Sequence, residues 1–230
     1  TTEKYDSYML RHGFSGGFLL GFTLHDDWIR QLNKTTVPTV LLDNYIPGNH
    51  HIGYVGTDSN EGIGHAVDHL VAMGHKKIAF LNGSKNSMVS EERNQAFYQH
   101  MRENGIEPDE NLVAYGYYVP DCAKNHVPTF VEHGATAIVC ASDMIASGVI
   151  TELGRLNLKV PDDVSVIGYD DLPVASQLTP KLTTIRQDRY DLGKSAVLML
   201  DGLIRGVALS KMLLRAKFIP RESTKRLDEK

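Results

Sequence analysis

The chain of 230 residues is poor in cysteine, has one tryptophan, and contains no long apolar run. Each shortage excludes something. Cys122 and Cys140 have the spacing of neither a metal site nor a redox pair, so they read as reduced thiols of a cytoplasmic protein. The apolar runs are strand-sized, which leaves no segment to span a bilayer and predicts no membrane partner. TTEKYDSYML at the start lacks the apolar core of a signal peptide. A formal net charge of -4 goes with the absence of any basic patch for nucleic acid. No GxxxxGK[ST] phosphate loop, GxGxxG turn or GxSxG elbow occurs. His65 and His69 lie one helical turn apart, but a zinc-protease helix needs Glu after the first His, and Ala66 stands there. No nucleophile has an evident base. The expectation is no enzyme, no catalytic residues, no metal and no cofactor.

What is present is alternation. Apolar strands at GGFLLGF (16–22), VPTVLLD (37–43), IGYVGTD (52–58) and KKIAFLNG (76–83) are followed by LVAYGYY, ATAIVCA, DVSVIGYD and LTTIRQ. Helical patterns lie between them. In NEGIGHAVDHLVAMGH, Ile63, Ala66, Val67, Leu70 and Met73 share one face, Asp58 and Glu61 form a capping pair, and Gly74 stands where a left-handed C-cap is usual. DRYDLGKSAVLMLDGLIRG carries Leu192, Ala196, Met199, Leu200 and Leu203 at helical spacing. Trp28, with Ile29 and Leu32 on a short helix, reads as core. Alternation of this kind predicts an α/β fold with parallel sheets covered by helices, as one wide sheet or two smaller ones.

In open α/β sheets ligands bind beyond the carboxyl ends of the strands, so polar strand ends are the place to look. Asp43 ends VLLD; Ser84 to Ser90 follow KIAFLNG, with Arg93 close behind; Ser142 and Asp143 follow AIVCA; Asp170 and Asp171 end VSVIGYD. An unpaired carboxylate at the end of a buried strand is costly, so the last two need partners. Taken singly, each Asp or Ser here also suits a helix cap. Taken together, carboxylates that accept from hydroxyls and an arginine fork that donates suit a polyhydroxylated neutral ligand. Tyr117 and Tyr118 end a strand, where stacking on a ligand and plain packing are equally compatible with the pattern.

At VPTVLLDN, GHAVDHLVAMGHKKIAFLNG, EERNQAF, CASDMIASG, VPDDVSVIGYDDLPVASQLTPKLTTIRQD and FIPREST, in order over about residues 4 to 224, the chain resembles the lactose/galactose-repressor family of bacterial transcription regulators. The resemblance implies a periplasmic-binding-protein-like type I fold: two Rossmann-like lobes with parallel sheets and a ligand cleft between them. It implies lobes of 1–57 with 188–216 and of 58–187 with 217–230. It implies a homodimer using helix faces such as Ile63 to Met73, and a small effector, a sugar or sugar derivative with purine as runner-up. Effector contacts carried over are Asp43, Arg93, Tyr118 (with Tyr117 as rival), Ser142 where sugar-binding members often have Asn, Asp170 and Gln187; Asp171 organises the turn. The family's helix-turn-helix domain, through which it contacts operator DNA, and the first strand, helix and strand of the amino-terminal lobe have no counterpart in these residues. On that reading the amino-terminal lobe is short of core. A transport-type sugar-binding protein of the same fold is the alternative.

Overall fold

The computed structural model describes residues 3–21 and 27–227, with the side chains of 27–29 excepted; the packing expected of Trp28 and Ile29 therefore lies outside the described residues. The chain divides into two compact units. Unit 1 comprises 1–58, 86–89 and 188–214; unit 2 comprises 59–85, 90–187 and 215–230.

Unit 1 is built on a four-stranded, all-parallel sheet. Its strands are β1 (Gly17–Leu20), β2 (Thr39–Leu42), β3 (Ile52–Thr57) and β9 (Lys211–Leu214), in the order β1-β2-β3-β9. Successive side chains of a strand point to opposite faces. Leu41 accordingly joins Tyr5 and Met9 of helix α1 (Tyr5–Arg11), Leu32 of α2 (Asp27–Leu32), Val37, Ile46 and Ile52 on one face. Val40 and Val55 meet Ala196, Met199 and Leu203 of α8 (Arg189–Ile204) on the other. Asp188 caps α8 by accepting from the Tyr190 and Asp191 amides. The two clusters are small, and the edge strand β1 leaves Phe18 and Leu20 exposed.

Unit 2 holds the larger core. Its sheet runs β10-β8-β7-β6-β4-β5, formed by β4 (Ile78–Asn82), β5 (Val113–Tyr115), β6 (Ala137–Cys140), β7 (Ser165–Asp170), β8 (Thr183–Arg186) and β10 (Lys217–Ile219). All pairs are parallel except β10 with β8. Strands β4 and β6 are buried at every position, because helices cover both faces of a parallel sheet; this is why they read as unbroken apolar runs. The covering helices are α3 (Ser59–Ala72), α4 (Met88–Glu103), α5 (Ala123–Glu132) and α6 (Asp143–Arg155), with a short α7 (Pro173–Gln177). Phe80 of β4 stacks on Phe97 of α4 with ring centroids 5.0 Å apart.

Helix α3 ends as its sequence predicts. The His75 amide donates to the Leu70 carbonyl and the Gly74 amide to Val71, and Gly74 has φ +89°. An added Cβ would meet nothing closer than Leu227 at 3.7 Å. Gly74→Ala is therefore expected to lose about 1–2 kcal/mol in urea unfolding through backbone strain alone. At the other end the Asp58 amide donates to the Leu214 carbonyl, and the Glu61 carboxylate accepts from the Ala216 amide and pairs with Arg215 at 2.7 Å. A difference from the expectation is at LVAYGYY. Strand β5 stops at Tyr115, the Gly116 amide bonds back to the Asn82 carbonyl, and Tyr117 and Tyr118 follow at φ 56° and 59°, which no strand can accommodate.

Candidate functional site

In unit 2 the expected polar residues fall beyond the carboxyl ends of β8, β7, β6, β4 and β5, in that spatial order. Gln187 follows β8, Asp170 closes β7, Ser142 lies just past β6, Arg93 is on the helix after β4, and Tyr118 follows β5. With strands about 4.8 Å apart, the row is about 19 Å long. Asp43 belongs to unit 1: it follows β2, is exposed, and has φ 66°.

The turn after β7 is held in a backbone conformation that non-glycine residues seldom adopt, with φ 110° at Asp170 and 54° at Asp171. Its side-chain contacts over-determine it. Asp170 Oδ1 accepts from Gln187 Nε2 at 2.6 Å. Asp171 accepts from Arg186 Nε and from Arg221 Nη2, each at 2.6 Å. Arg221 also donates to the Leu182 carbonyl, and its amide donates to Thr183 Oγ1. Burial alone would raise the Asp171 carboxyl, but the hydrogen bonds and charges of Arg221 and Arg186 prevail and hold it below the usual carboxylate range. Gln187 thus bonds Asp170, while two guanidiniums pair with Asp171.

Arg93 is 4% exposed, with its Cζ over the Tyr169 ring 3.8 Å from the centroid, while Nη1 donates to the Ala141 carbonyl at 2.7 Å. The tyrosine beneath it gave no sign in the sequence beyond being the aromatic before the Asp pair. Ser142 is the N-cap of α6, its Oγ accepting from the Ile145 amide. Tyr118 packs its ring over Gly83, where a Cβ would stand 2.0 Å from the ring Cζ, and its hydroxyl bonds Ser90 Oγ at 3.0 Å. Tyr117, its rival, is 69% exposed.

Of the strand-end pair Ser142 and Asp143, only Ser142 is carried over as an effector contact, yet Asp143 is the more deeply enclosed. Asp143, the first residue of α6, is 0% exposed; Oδ2 accepts from the Leu172 amide and Oδ1 from Thr184 Oγ1, both at 2.6 Å. Burial pushes its carboxyl up to about 7, with Asp170 and Asp171 adding repulsion against the opposing effect of the two hydrogen bonds. An Asp right after a helix cap is too common for its position alone to reveal this burial.

Among the described residues, no group of three or more His, Cys, Asp or Glu side chains could hold a metal ion. His65 is exposed, while His69 bonds Thr224 Oγ1 and packs on Phe218. Both cysteines are free and buried, and burial pushes the Cys122 thiol up to about 11 and Cys140 well above its ordinary value, opposite to what a nucleophile needs. No helix among the described residues is long and apolar enough to cross a membrane.

Known proteins share this architecture. The family model of the periplasmic binding protein-like domain matches residues 67–224. The HTH-type transcriptional repressor CytR of Escherichia coli (strain K12) is 30% identical over 216 residues, which is 92% of this chain and 63% of that protein. The chain thus spans less than two thirds of the length of that curated relative. Among solved structures, the transcription regulator CcpA of Lactococcus lactis matches with a TM-score of 0.86 at 29% identity, covering 95% of this chain and 81% of that one. The transcriptional regulator CelR in its cellobiose complex matches with a TM-score of 0.87 at 26% identity, covering 95% and 68%. The chain belongs to the periplasmic binding protein-like domain family, and the relative and the solved structures it is similar to are transcription repressors or regulators.

Proposed function

We propose that this chain senses a small effector, a sugar or sugar derivative, as the regulatory core of a bacterial transcription repressor. The observation that carries the reading is the row of Gln187, Asp170, Ser142, Arg93 and Tyr118 at the carboxyl ends of one parallel sheet. Carboxylate and amide oxygens accept from hydroxyls, and a guanidinium donates in a planar fork; this set suits vicinal hydroxyls better than it suits a phosphate or an apolar ligand. Asp43, in unit 1, is the remaining effector contact that the family pattern assigns. Units 1 and 2 are taken as the two lobes. The family resemblance further assigns homodimerisation, a cytoplasmic location, and operator contact through a separate helix-turn-helix domain. The core itself is read as non-catalytic.

A regulator of this kind works because the effector binds one arrangement better than another. The coupling equals that difference in affinity, typically ~1–3 kcal/mol. The test is a thermal-shift screen against free sugars, phosphosugars and purines, with Asp170→Ala as control. At 100 times its dissociation constant a ligand adds about 2.7 kcal/mol to stability. A sugar should stabilise the wild type and lose that effect in the variant. A purine hit would replace the sugar as effector, and an unchanged shift in Asp170→Ala would remove this row of residues from the site.

A further inference from the structure

We propose that Asp143 is a positioning residue for this site, a buried brace that ties the turn carrying Asp170 to the strand leading into Gln187. The inference rests on the reading of Asp170 and Gln187 as effector contacts, but the brace can be measured without any ligand. Three elements converge on the carboxyl group. From the turn after β7 the Leu172 amide donates to Oδ2, and from β8 the Thr184 hydroxyl donates to Oδ1. Strand β7 makes room: at Gly168 a Cβ would stand 2.2 Å from Asp143 Oδ1 and 2.7 Å from Leu182 Cδ2. A glycine, a hydroxyl and a backbone amide together form a niche for one carboxyl. Leu172 lies two residues past Asp170, and Thr184 lies three before Gln187. Fixing these two points fixes the register in which Gln187 Nε2 reaches Asp170 Oδ1 at 2.6 Å.

The neighbouring charges do not do this work. Arg186, at the end of β8, and Arg221, beyond β10, both pair with Asp171. Asp170 and Asp171 repel Asp143, and Cys140, at the end of β6, is a neutral thiol. The brace also tolerates protonation. A protonated carboxyl can donate to Thr184 Oγ1, a hydroxyl able to reverse its role, while its other oxygen still accepts from Leu172. An asparagine has the same donor and acceptor pattern, so it should replace the carboxyl in place.

Amide exchange and side-chain NMR of the whole chain test this in Asp143→Ala, Asp143→Asn and Thr184→Val. In Asp143→Ala the Leu172 amide should exchange about tenfold faster, the loss of a hydrogen bond of about 1.4 kcal/mol. The Gln187 side-chain amide should lose its hydrogen-bonded shift, while the core amide of Val139 stays protected. Asp143→Asn should restore both signals. Thr184→Val should free the Gln187 signal but leave Leu172 protected, and it serves alone if Asp143→Ala does not fold. An unchanged Gln187 signal in Asp143→Ala or in Thr184→Val overturns the proposal. Titration with cellobiose separates the two readings. No binding to wild type counts against cellobiose as effector and leaves the exchange result standing; binding unaffected by Asp143→Ala overturns the positioning role.

Discussion

Asp171→Ala is expected to lose about 3 kcal/mol of unfolding free energy, the lower end of what removing one partner of a buried ion pair costs. The carboxylate side chain is 9% exposed and receives two guanidiniums. Arg186 is 43% exposed, so water compensates most of its loss. Arg221 is 18% exposed and would keep its charge with only the Leu182 carbonyl in place. Alanine also tolerates φ 54° poorly. Asp171→Asn keeps an acceptor and a side chain suited to that backbone, so it should fall between the two. Urea unfolding of the three proteins at pH 7 checks the order. The pH dependence has a definite sign. The folded carboxyl lies below its ordinary value, so its stabilisation is present above the unfolded pKa and is lost as pH falls through the folded one, in the acid range below about 4. Equal stability of the wild type and Asp171→Ala at pH 7 would show that the turn is held by its backbone alone.

Asp143 should behave in the opposite way. Its carboxyl titrates near 7 in the folded chain and at an ordinary value when unfolded. Between those values the folded state retains a proton that the unfolded state releases, so stability falls as pH rises from about 4 to about 7 and is level above that. At about 1.4 kcal/mol per pH unit, the gap corresponds to about 4 kcal/mol. Asp143→Asn removes the ionisation and keeps both hydrogen bonds. The difference in unfolding free energy between the variant and the wild type should therefore grow in favour of the variant across that interval. Urea titrations at pH 5, 6, 7 and 8 measure it. Parallel curves would mean that the niche solvates the carboxylate. Burial raises both carboxyls; at Asp171 two guanidiniums outweigh it, whereas at Asp143 the amide and the hydroxyl do not, and two like charges lie nearby.

The expectations from sequence that held were those that depend on local pattern. Apolar runs marked β4, β6 and β7, helical spacing marked α3 and α8, and Gly74 marked the end of α3. Strand ends also drew attention to Asp170, Ser142 and Arg93, because a polar residue after a buried strand is conspicuous. The tyrosine pair was misjudged, since nothing in LVAYGYY distinguishes the last strand residue from a left-handed turn held by a bond to Asn82. The partners of the polar residues were not legible at all. Asp171 and Arg221 are 50 positions apart, and Asp143 and Thr184 are 41 apart.

The sequence by itself determined the class of fold, the position of most elements and the strand ends at which polar chemistry collects, because periodicity and turn residues act over a few positions. Tertiary structure alone decided which of those ends stand side by side. The order β8-β7-β6-β4-β5 differs from chain order, and it sets Arg93 on Tyr169, Gln187 against Asp170, and Thr184 and Leu172 around Asp143. Burial acts only after that packing is complete. It makes an ordinary aspartate after a helix cap titrate near 7, while Asp171, paired with two guanidiniums, stays ionised.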